Sequence, residues 1–170
     1  MILTGPEIED QVRQGRITID PFEPARVNPN SYNYRLGGDY IELDRSRRYE
    51  SQQTSSRSAL PIPEEGMVLR PGHLYLCHTH ERLGSLHYVT SLIGKSSMGR
   101  LGLFLQISAD LGHQEQIHQW TLELRACRPI RIYPGMVIGQ VTFWATRGAV
   151  HRREGYYGRF DGPTPSKDLA

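Results

Sequence analysis

The sequence GKSSMGRLGL, residues 94–103, places two cations around two adjacent hydroxyls and three glycines. Glycines let a backbone turn approach a ligand closely, and Lys95 and Arg100 add positive charge that suits anionic oxygens. The glycine and lysine spacing of a P-loop is absent. No Gly-x-Ser-x-Gly elbow surrounds Ser96 or Ser97, so these hydroxyls suit hydrogen bonding better than nucleophilic attack. The stretch is expected to form either an anion-binding turn or an ordinary solvated loop between two strands.

A carboxylate between two leucines follows this stretch. Residues 103–107 are an apolar run, residues 109–119 are polar and irregular, and residues 120–124 have the pattern of a strand. Successive side chains of a strand point to opposite faces. Glu123 therefore either points outward to solvent or is held inward for chemistry. Strand alternation alone favours the outward orientation.

The rest of the chain has the pattern of an all-β protein. Pro-Gly or Gly punctuation separates short strands at intervals of about 8–12 residues, which predicts a barrel or a sandwich. One helix is predicted, at the N-terminus, where Thr4 and Glu7 form a capping box and Gly15 ends the helix. The predicted strands lie at residues 17–19, 32–36, 40–43, 73–78, 86–93, 130–132 and 136–144.

Length and local composition predict how the chain is organised. Its 170 residues fit a single domain, 1–170. Residues 44–58 are rich in arginine, serine and glutamine, and we expect them to form an exposed, mobile loop. Residues 156–170 are expected to form a C-terminal tail.

Overall composition narrows the partners and the compartment. A hydrophobic fraction of 38% and a charged fraction of 22% are typical of globular proteins. The net charge of +2, with scattered basic residues, does not indicate a nucleic-acid partner. Cys77 and Cys127 do not make a disulfide framework, and the sequence has neither a membrane-spanning apolar run nor a signal-peptide core. We therefore expect a soluble cytoplasmic protein without a membrane partner.

Two histidine-containing patterns resemble parts of metal sites. Residues 113–115, His-Gln-Glu, match the first half of the zinc deaminase signature, but its Pro-Cys-x-x-Cys half is absent. Cys77, His78 and His80 cannot converge on a regular strand, because the two histidines share one face and the cysteine takes the other. Surface or hydrogen-bonded histidines are the expected case, and no metal site is predicted.

Five segments, taken together and in order, resemble the dCTP deaminases of the trimeric dUTPase-like superfamily. The resemblance implies a mainly β fold, a dUTPase-like β-barrel or distorted jelly roll with a short N-terminal helix. It also implies a homotrimer with active sites at subunit interfaces, and hydrolytic deamination at C4 of a cytosine nucleotide without zinc. No cofactor is implied for the chemistry, although Mg²⁺ can accompany the nucleotide phosphates. The segments are residues 15–22, 28–31 with 35–37, 94–103, 121–124 with 133–140, and 162–166.

The same resemblance implies roles for individual residues. Glu123 falls on the family's catalytic glutamate, which takes a proton from water and passes it to the leaving amine. Ser96 falls on a serine that helps to hold that water, and Arg100 falls on a catalytic position beside it. The implied substrate-binding positions are Lys95, Ser97, Ala109, His113, Trp120, Thr121, Tyr157 and Phe160. For Glu123, this implication reverses the orientation that strand alternation favours.

The chain departs from the family pattern at the sugar and at the phosphates. After Ala109 the family usually continues Gly-x-Ile-Asp-Pro-Gly-x-x-Gly, a turn that binds the sugar. Here His113 stands at the aspartate, and the proline and glycines are absent from their positions. In the tail, Phe160 replaces a glutamine that meets the triphosphate. A cytosine nucleotide other than dCTP is therefore a candidate substrate, and the alternatives are a dUTPase-like pyrophosphatase or a catalytically silent nucleotide-binding trimer.

Overall fold

The structure is a computed structural model that describes residues 1–43, 48, 58–105, 108–149 and 155–167. Apart from residues 48 and 58, the loop predicted at 44–58 lies outside the described residues. Most of the regular structure is strand, so the prediction of a mainly β protein with a short N-terminal helix is confirmed. The helices are α1 (Gly5–Arg13) and α2 (Ser96–Leu101), with 3-10 turns at Pro24–Arg26 and Tyr157–Arg159. The strands are β1 (Ile17–Asp20), β2 (Val27–Asn28), β3 (Ser31–Arg35), β4 (Asp39–Leu43), β5 (Leu60–Pro61), β6 (Met67–Leu69), β7 (Leu74–His78), β8 (Arg82–Ser85), β9 (Val89–Gly94), β10 (Leu103–Phe104), β11 (Gln116–His118), β12 (Thr121–Ala126), β13 (Ile130–Ile132) and β14 (Val137–Trp144).

The strands form antiparallel sheets around one apolar core. The largest has the order β10-β12-β7-β4-β5, and a second has the order β2-β3-β14-β9. A three-stranded sheet, β1-β8-β11, and the pair β13-β6 complete the set among the described residues. Buried side chains from all four sheets join a single cluster, in which Tyr32, Tyr34, Tyr75 and Phe143 are the largest. No described helix is long and apolar enough to cross a bilayer.

The N-terminal helix forms where the sequence predicts it, but without the predicted capping box. Thr4 occupies the N-cap position, yet its side chain makes no cap hydrogen bond with a described residue. Glu7 does not reach back to Thr4, because its carboxylate accepts a hydrogen bond from Gln11 Nε2 at 2.8 Å, one turn further along. Gly15, with a φ of 71°, follows the end of the helix as predicted.

Residues 94–103 are mainly helical, which corrects the expectation of a turn or a loop. Lys95 is the N-cap, and its carbonyl accepts hydrogen bonds from the N–H groups of Met98 and Gly99 at 2.9 and 3.0 Å. The methionine, arginine and leucine of this segment are good helix formers, so one helical turn closes despite Gly99. Gly102 ends the helix in the left-handed region, with a φ of 91°.

The polar stretch at residues 109–119 contains a strand that its sequence does not reveal. β11 pairs with β8, Gln116 opposite Ser85 and His118 opposite Leu83. A three-residue strand is too short to show alternation, and its backbone partner lies 31 or more residues earlier in the chain. The neighbouring prediction at residues 86–93 is correct in kind, but β9 begins later, at Val89.

Candidate active site

The sheet β10-β12-β7-β4-β5 has one face toward the core and one toward a cavity. Leu122 and Leu124 of β12 are fully buried in the core. Glu123 lies between them in sequence, so strand alternation turns it to the opposite face. That face is part of the wall of a cavity of about 780 Å³. Glu123 therefore points away from the core, as alternation predicts, and it lines a cavity and not open solvent.

The surroundings of Glu123 in the cavity are partly apolar. The register places Leu76 of β7 directly opposite Glu123. Leu74 of β7 and Leu43 of β4 are also opposite each other, and all three leucines line the cavity. Glu123 itself is half-buried. A carboxylate in such a position can accept a proton from a bound water and return it to a substrate.

Six of the predicted site residues meet in this cavity. They come from the loop before β11, from β12 and the residue before it, and from the tail. Trp120 is held in place because its Nε1 donates to the Leu83 carbonyl at 2.9 Å and its indole packs against Gly112. A Cβ at Gly112 would come within 2.3 Å of the indole, so this glycine is needed for the contact. The six are Ala109, His113, Trp120, Thr121, Glu123 and Tyr157.

The other predicted site residues lie elsewhere in the fold. Within the part of the chain that the structure describes, α2 contributes no lining residue to the cavity. α2 is joined to β10, whose Leu103 pairs with Ala126, three residues beyond Glu123 on β12. Phe160 is also outside the lining and packs its ring 5.1 Å from that of Tyr156. The residues of α2 and its N-cap that were predicted to act on the substrate are Lys95, Ser96, Ser97 and Arg100.

The cavity also contains residues that the sequence did not single out, above all His118. This side chain is 5% exposed, and its ring lies 4.3 Å from that of Trp120. Its Nδ1 lies 2.8 Å from the Gln119 carbonyl, while its Nε2 has no partner among the described residues. Burial lowers the pKa of His118, so the ring is neutral near pH 7. The spacing His-x-Trp-x-x-Glu, which puts two aromatic rings just before the buried leucines and the carboxylate of β12, is the sequence signal that could have pointed to His118.

Of the two histidines in the sequence pattern near β7, one is a buried, hydrogen-bonded side chain and the other is exposed. His78 is buried, with Nδ1 2.9 Å from the Thr79 carbonyl, and burial lowers its pKa. His80 is exposed, and Cys77 lies in the core. The described residues include no group of three or more His, Cys, Asp or Glu side chains that could hold a metal ion.

The tail, residues 155–167, packs along the cavity. Thr121 Oγ1 accepts a hydrogen bond from the Thr164 N–H at 3.1 Å, so this predicted substrate contact also holds the tail. Tyr157 Oη accepts from the Lys167 N–H at 2.9 Å. The missed lining residues, which come from strands and tail alike, are Leu43, Leu74, Leu76, Leu111, Gly112, Gln116, His118, Gly155, Tyr156 and residues 164–167.

Comparison with known proteins places this arrangement in a family. The family model described as dCTP deaminase-like matches residues 2–146. A protein of Rhodopirellula baltica named dCTP deaminase is 42% identical over 148 residues, which are 87% of this chain and 74% of that protein. A protein of Cytophaga hutchinsonii named dCTP deaminase, dUMP-forming, is 40% identical over 167 residues, 98% of this chain and 95% of that protein.

A solved structure supports the fold. The crystal structure of 2′-deoxycytidine 5′-triphosphate deaminase from Agrobacterium tumefaciens matches with a TM-score of 0.66 at 21% identity. The match covers 85% of this chain and 48% of the Agrobacterium chain, so the present chain spans about half the length of that protein. At this identity the likeness shows the fold alone, and it confirms the fold class expected from the resemblance. The family model and the two relatives show that this chain belongs to the dCTP deaminase-like family.

Proposed function

We propose that this protein hydrolytically deaminates a cytosine nucleotide, releasing ammonia and leaving the uracil nucleotide. The observation that carries the proposal is the position of Glu123, which projects from β12 into the cavity among Leu43, Leu74 and Leu76. Membership of the dCTP deaminase-like family supports the substrate class. The relatives from Rhodopirellula baltica and Cytophaga hutchinsonii are both named as deaminases of dCTP.

The proposed chemistry uses one carboxylate twice. Glu123 takes a proton from a water that attacks C4 of the base, and a tetrahedral intermediate forms at C4. The same carboxyl group then gives this proton to N4, and ammonia leaves. The proton that remains on the C4 hydroxyl passes to N3, so that C4 becomes the carbonyl of the uracil ring. Trp120 offers a flat apolar surface for the base. No metal takes part in these steps, and Mg²⁺ is proposed to accompany the phosphates alone, so activity lost to a chelator should return with Mg²⁺.

We further propose that the cations reach the site from a neighbouring copy in a homotrimer. Lys95, Ser96 and Arg100 are outside the cavity of their own chain. Close to them in sequence are three exposed apolar side chains, Ile93, Leu101 and Phe104, which a subunit interface would bury. The molar mass in solution, measured by light scattering, tests this part. We propose the cytoplasm as the compartment, which the two free cysteines support.

A second activity is supported by the names of several relatives. The proteins of Cytophaga hutchinsonii and Clostridium acetobutylicum are named dCTP deaminase, dUMP-forming. Conversion of dCTP to dUMP needs two hydrolyses, one at C4 that releases ammonia and one at the α-phosphorus that releases pyrophosphate. If this chain shares that property, it combines the proposed deamination with the pyrophosphatase alternative.

One assay separates these possibilities. The purified protein is incubated with ribo- and deoxycytidine mono- and triphosphates and with dUTP, and ammonia and pyrophosphate are both measured. Ammonia alone supports deamination, equal amounts of both products support the double hydrolysis, and pyrophosphate alone from dUTP supports a dUTPase-like enzyme. Nucleotide binding without either product would overturn the proposal in favour of a silent nucleotide-binding trimer. Glu123→Gln is the matched control for ammonia that does not come from the proposed site.

A further inference from the structure

The tail forms a large part of the cavity wall in two separate stretches. Residues 155–157 and residues 164–167 line the cavity, whereas residues 158–163 between them do not. The shape of the cavity therefore depends on where the tail is held. Asp161 lies between the two lining stretches, and its side chain joins this part of the tail to the rest of the chain. Thr121 Oγ1 adds a longer hydrogen bond to the Gly162 carbonyl, at 3.5 Å.

Asp161 uses both of its carboxylate oxygens. Oδ2 forms an ion pair with Nη1 of Arg82 on β8. Oδ1 accepts a hydrogen bond at 3.0 Å from the backbone N–H of Gln119, which lies between β11 and β12. Arg82 is itself oriented, because its Nη2 donates to the Ile117 carbonyl at 3.2 Å. One carboxylate thus joins the tail to the end of β11 and to its partner strand β8.

We propose that Asp161 is a positioning residue for the reaction, holding the two lining stretches of the tail against the cavity through Arg82 and Gln119. Its own side chain does not line the cavity, so its effect passes through residues 155–157 and 164–167. A second contact, from the Thr164 N–H to Thr121 Oγ1, lies within the lining itself and remains when Asp161 is changed. The tail is therefore loosened rather than released. The kinetic part of this inference rests on the proposed function.

Loosening the tail affects substrate binding more than the chemical step. Glu123 is held by the pairing of β12 with β7, which does not involve the tail. We therefore expect Asp161→Ala to raise KM by about 5- to 30-fold, the range for loss of a charge-assisted hydrogen bond together with an ion pair. Asp161→Asn keeps an oxygen for Gln119 and loses the ion pair, so its KM should rise by about 1.5- to 5-fold. In both variants kcat should stay within about twofold of wild type.

The first test needs no substrate. The tail contains Arg159 and Lys167, both exposed, and trypsin cleavage after each can be followed by mass spectrometry. Cleavage should be fastest in Asp161→Ala, intermediate in Asp161→Asn and close to wild type in Asp161→Glu, which keeps the carboxylate. Asp10→Asn is the matched control, because Asp10 forms an exposed ion pair with Arg13 on α1, at 2.9 Å, away from the tail. It should leave tail cleavage unchanged.

The second test measures KM and kcat with dCTP in the same variants. A double variant, Arg82→Asp with Asp161→Arg, restores an ion pair of opposite sense, and its KM should fall below that of either single variant. Unchanged tail cleavage and unchanged KM in Asp161→Ala would overturn the inference. So would a lower kcat at unchanged KM with a lower melting temperature, which is the result of a merely structural role. If wild-type protein releases no ammonia from any cytosine nucleotide, the proposed function fails, and the tail cleavage alone decides the role of Asp161.

Discussion

β12 and α2 carry the two halves of the predicted site, and they differ in how firmly the fold holds them and in whether they line the cavity. β12 is paired on both sides, with β7 and with β10, and presents Glu123 to a cavity. α2 is a six-residue helix with no buried residue, and its cations and hydroxyls lie outside that cavity. The sheet therefore fixes the position of Glu123, whereas the charges of α2 lie on a surface that a second copy can reach. In the proposed function, the first of these transfers the proton and the second binds the phosphates.

The largest effect is expected from the β12 half. Glu123→Gln should lower kcat by roughly 10²- to 10⁴-fold, because the amide cannot shuttle a proton, while nucleotide affinity stays within about tenfold. Ammonia release and equilibrium binding measure the two quantities. Glu64→Gln changes an exposed carboxylate between β5 and β6, away from the cavity, and serves as the control. Near wild-type turnover in Glu123→Gln would show that the carboxylate on β12 does not transfer the proton.

Mixed oligomers test whether the two halves come from different copies. Arg100→Ala should be nearly inactive on its own, as should Glu123→Gln. If each site combines Glu123 of one copy with Arg100 of another, equal co-expression should restore about one quarter of wild-type activity, since about one site in four receives both intact residues. Recovery of activity supports the interface. Mixed oligomers with no more activity than the single variants would show that α2 acts in its own chain or not at all.

A smaller effect is expected on substrate selectivity, at the cavity residue His113. His113 is exposed, lines the cavity and stands where the family pattern has an aspartate. A histidine can donate a hydrogen bond as well as accept one, whereas an ionised aspartate only accepts, so the hydrogen bond to the sugar should differ from the one that the aspartate makes. We expect dCTP to trail the best substrate in kcat/KM by about 5- to 150-fold, the range for one lost buried hydrogen bond, and His113→Asp to narrow the gap. If dCTP is the best substrate of the nucleotide panel and His113→Asp is neutral, this turn has no part in selectivity.

The smallest effect is on stability against acid. Burial lowers the pKa of His118, beside β12, and of His78, at the end of β7, below their unfolded value of about 6.5. Between that value and the folded pKa, the unfolded chain binds more protons than the folded protein. Stability should therefore be fully present above about pH 6.5 and fall with pH through this window, by at most about 1.4 kcal/mol per pH unit for each histidine.

Urea unfolding at a series of pH values measures this slope. His118→Gln should make it shallower, because one buried titrating group is removed. His80→Gln, at an exposed histidine, should leave it unchanged. An unaltered slope in His118→Gln would mean that the ring gains protons in the folded state as readily as in the unfolded one.

The sequence by itself determined the local features of this protein. Strand alternation correctly turned Glu123 away from the core that holds Leu122 and Leu124. The outer face of β12 is a cavity wall, so this outward orientation does not conflict with the role that the family resemblance implies for Glu123. Gly15 and the Pro-Gly punctuation marked the element ends, since these signals act over a few residues.

Tertiary structure alone decided the rest. β11 is a strand because β8 offers it a partner. The walls around Glu123 come from β4, β7 and the tail, which are distant in sequence, and the Asp161–Arg82 pair joins residues 79 positions apart. Contacts of this kind depend on how the sheets pack and how the tail returns across them, and no window of local sequence contains that information.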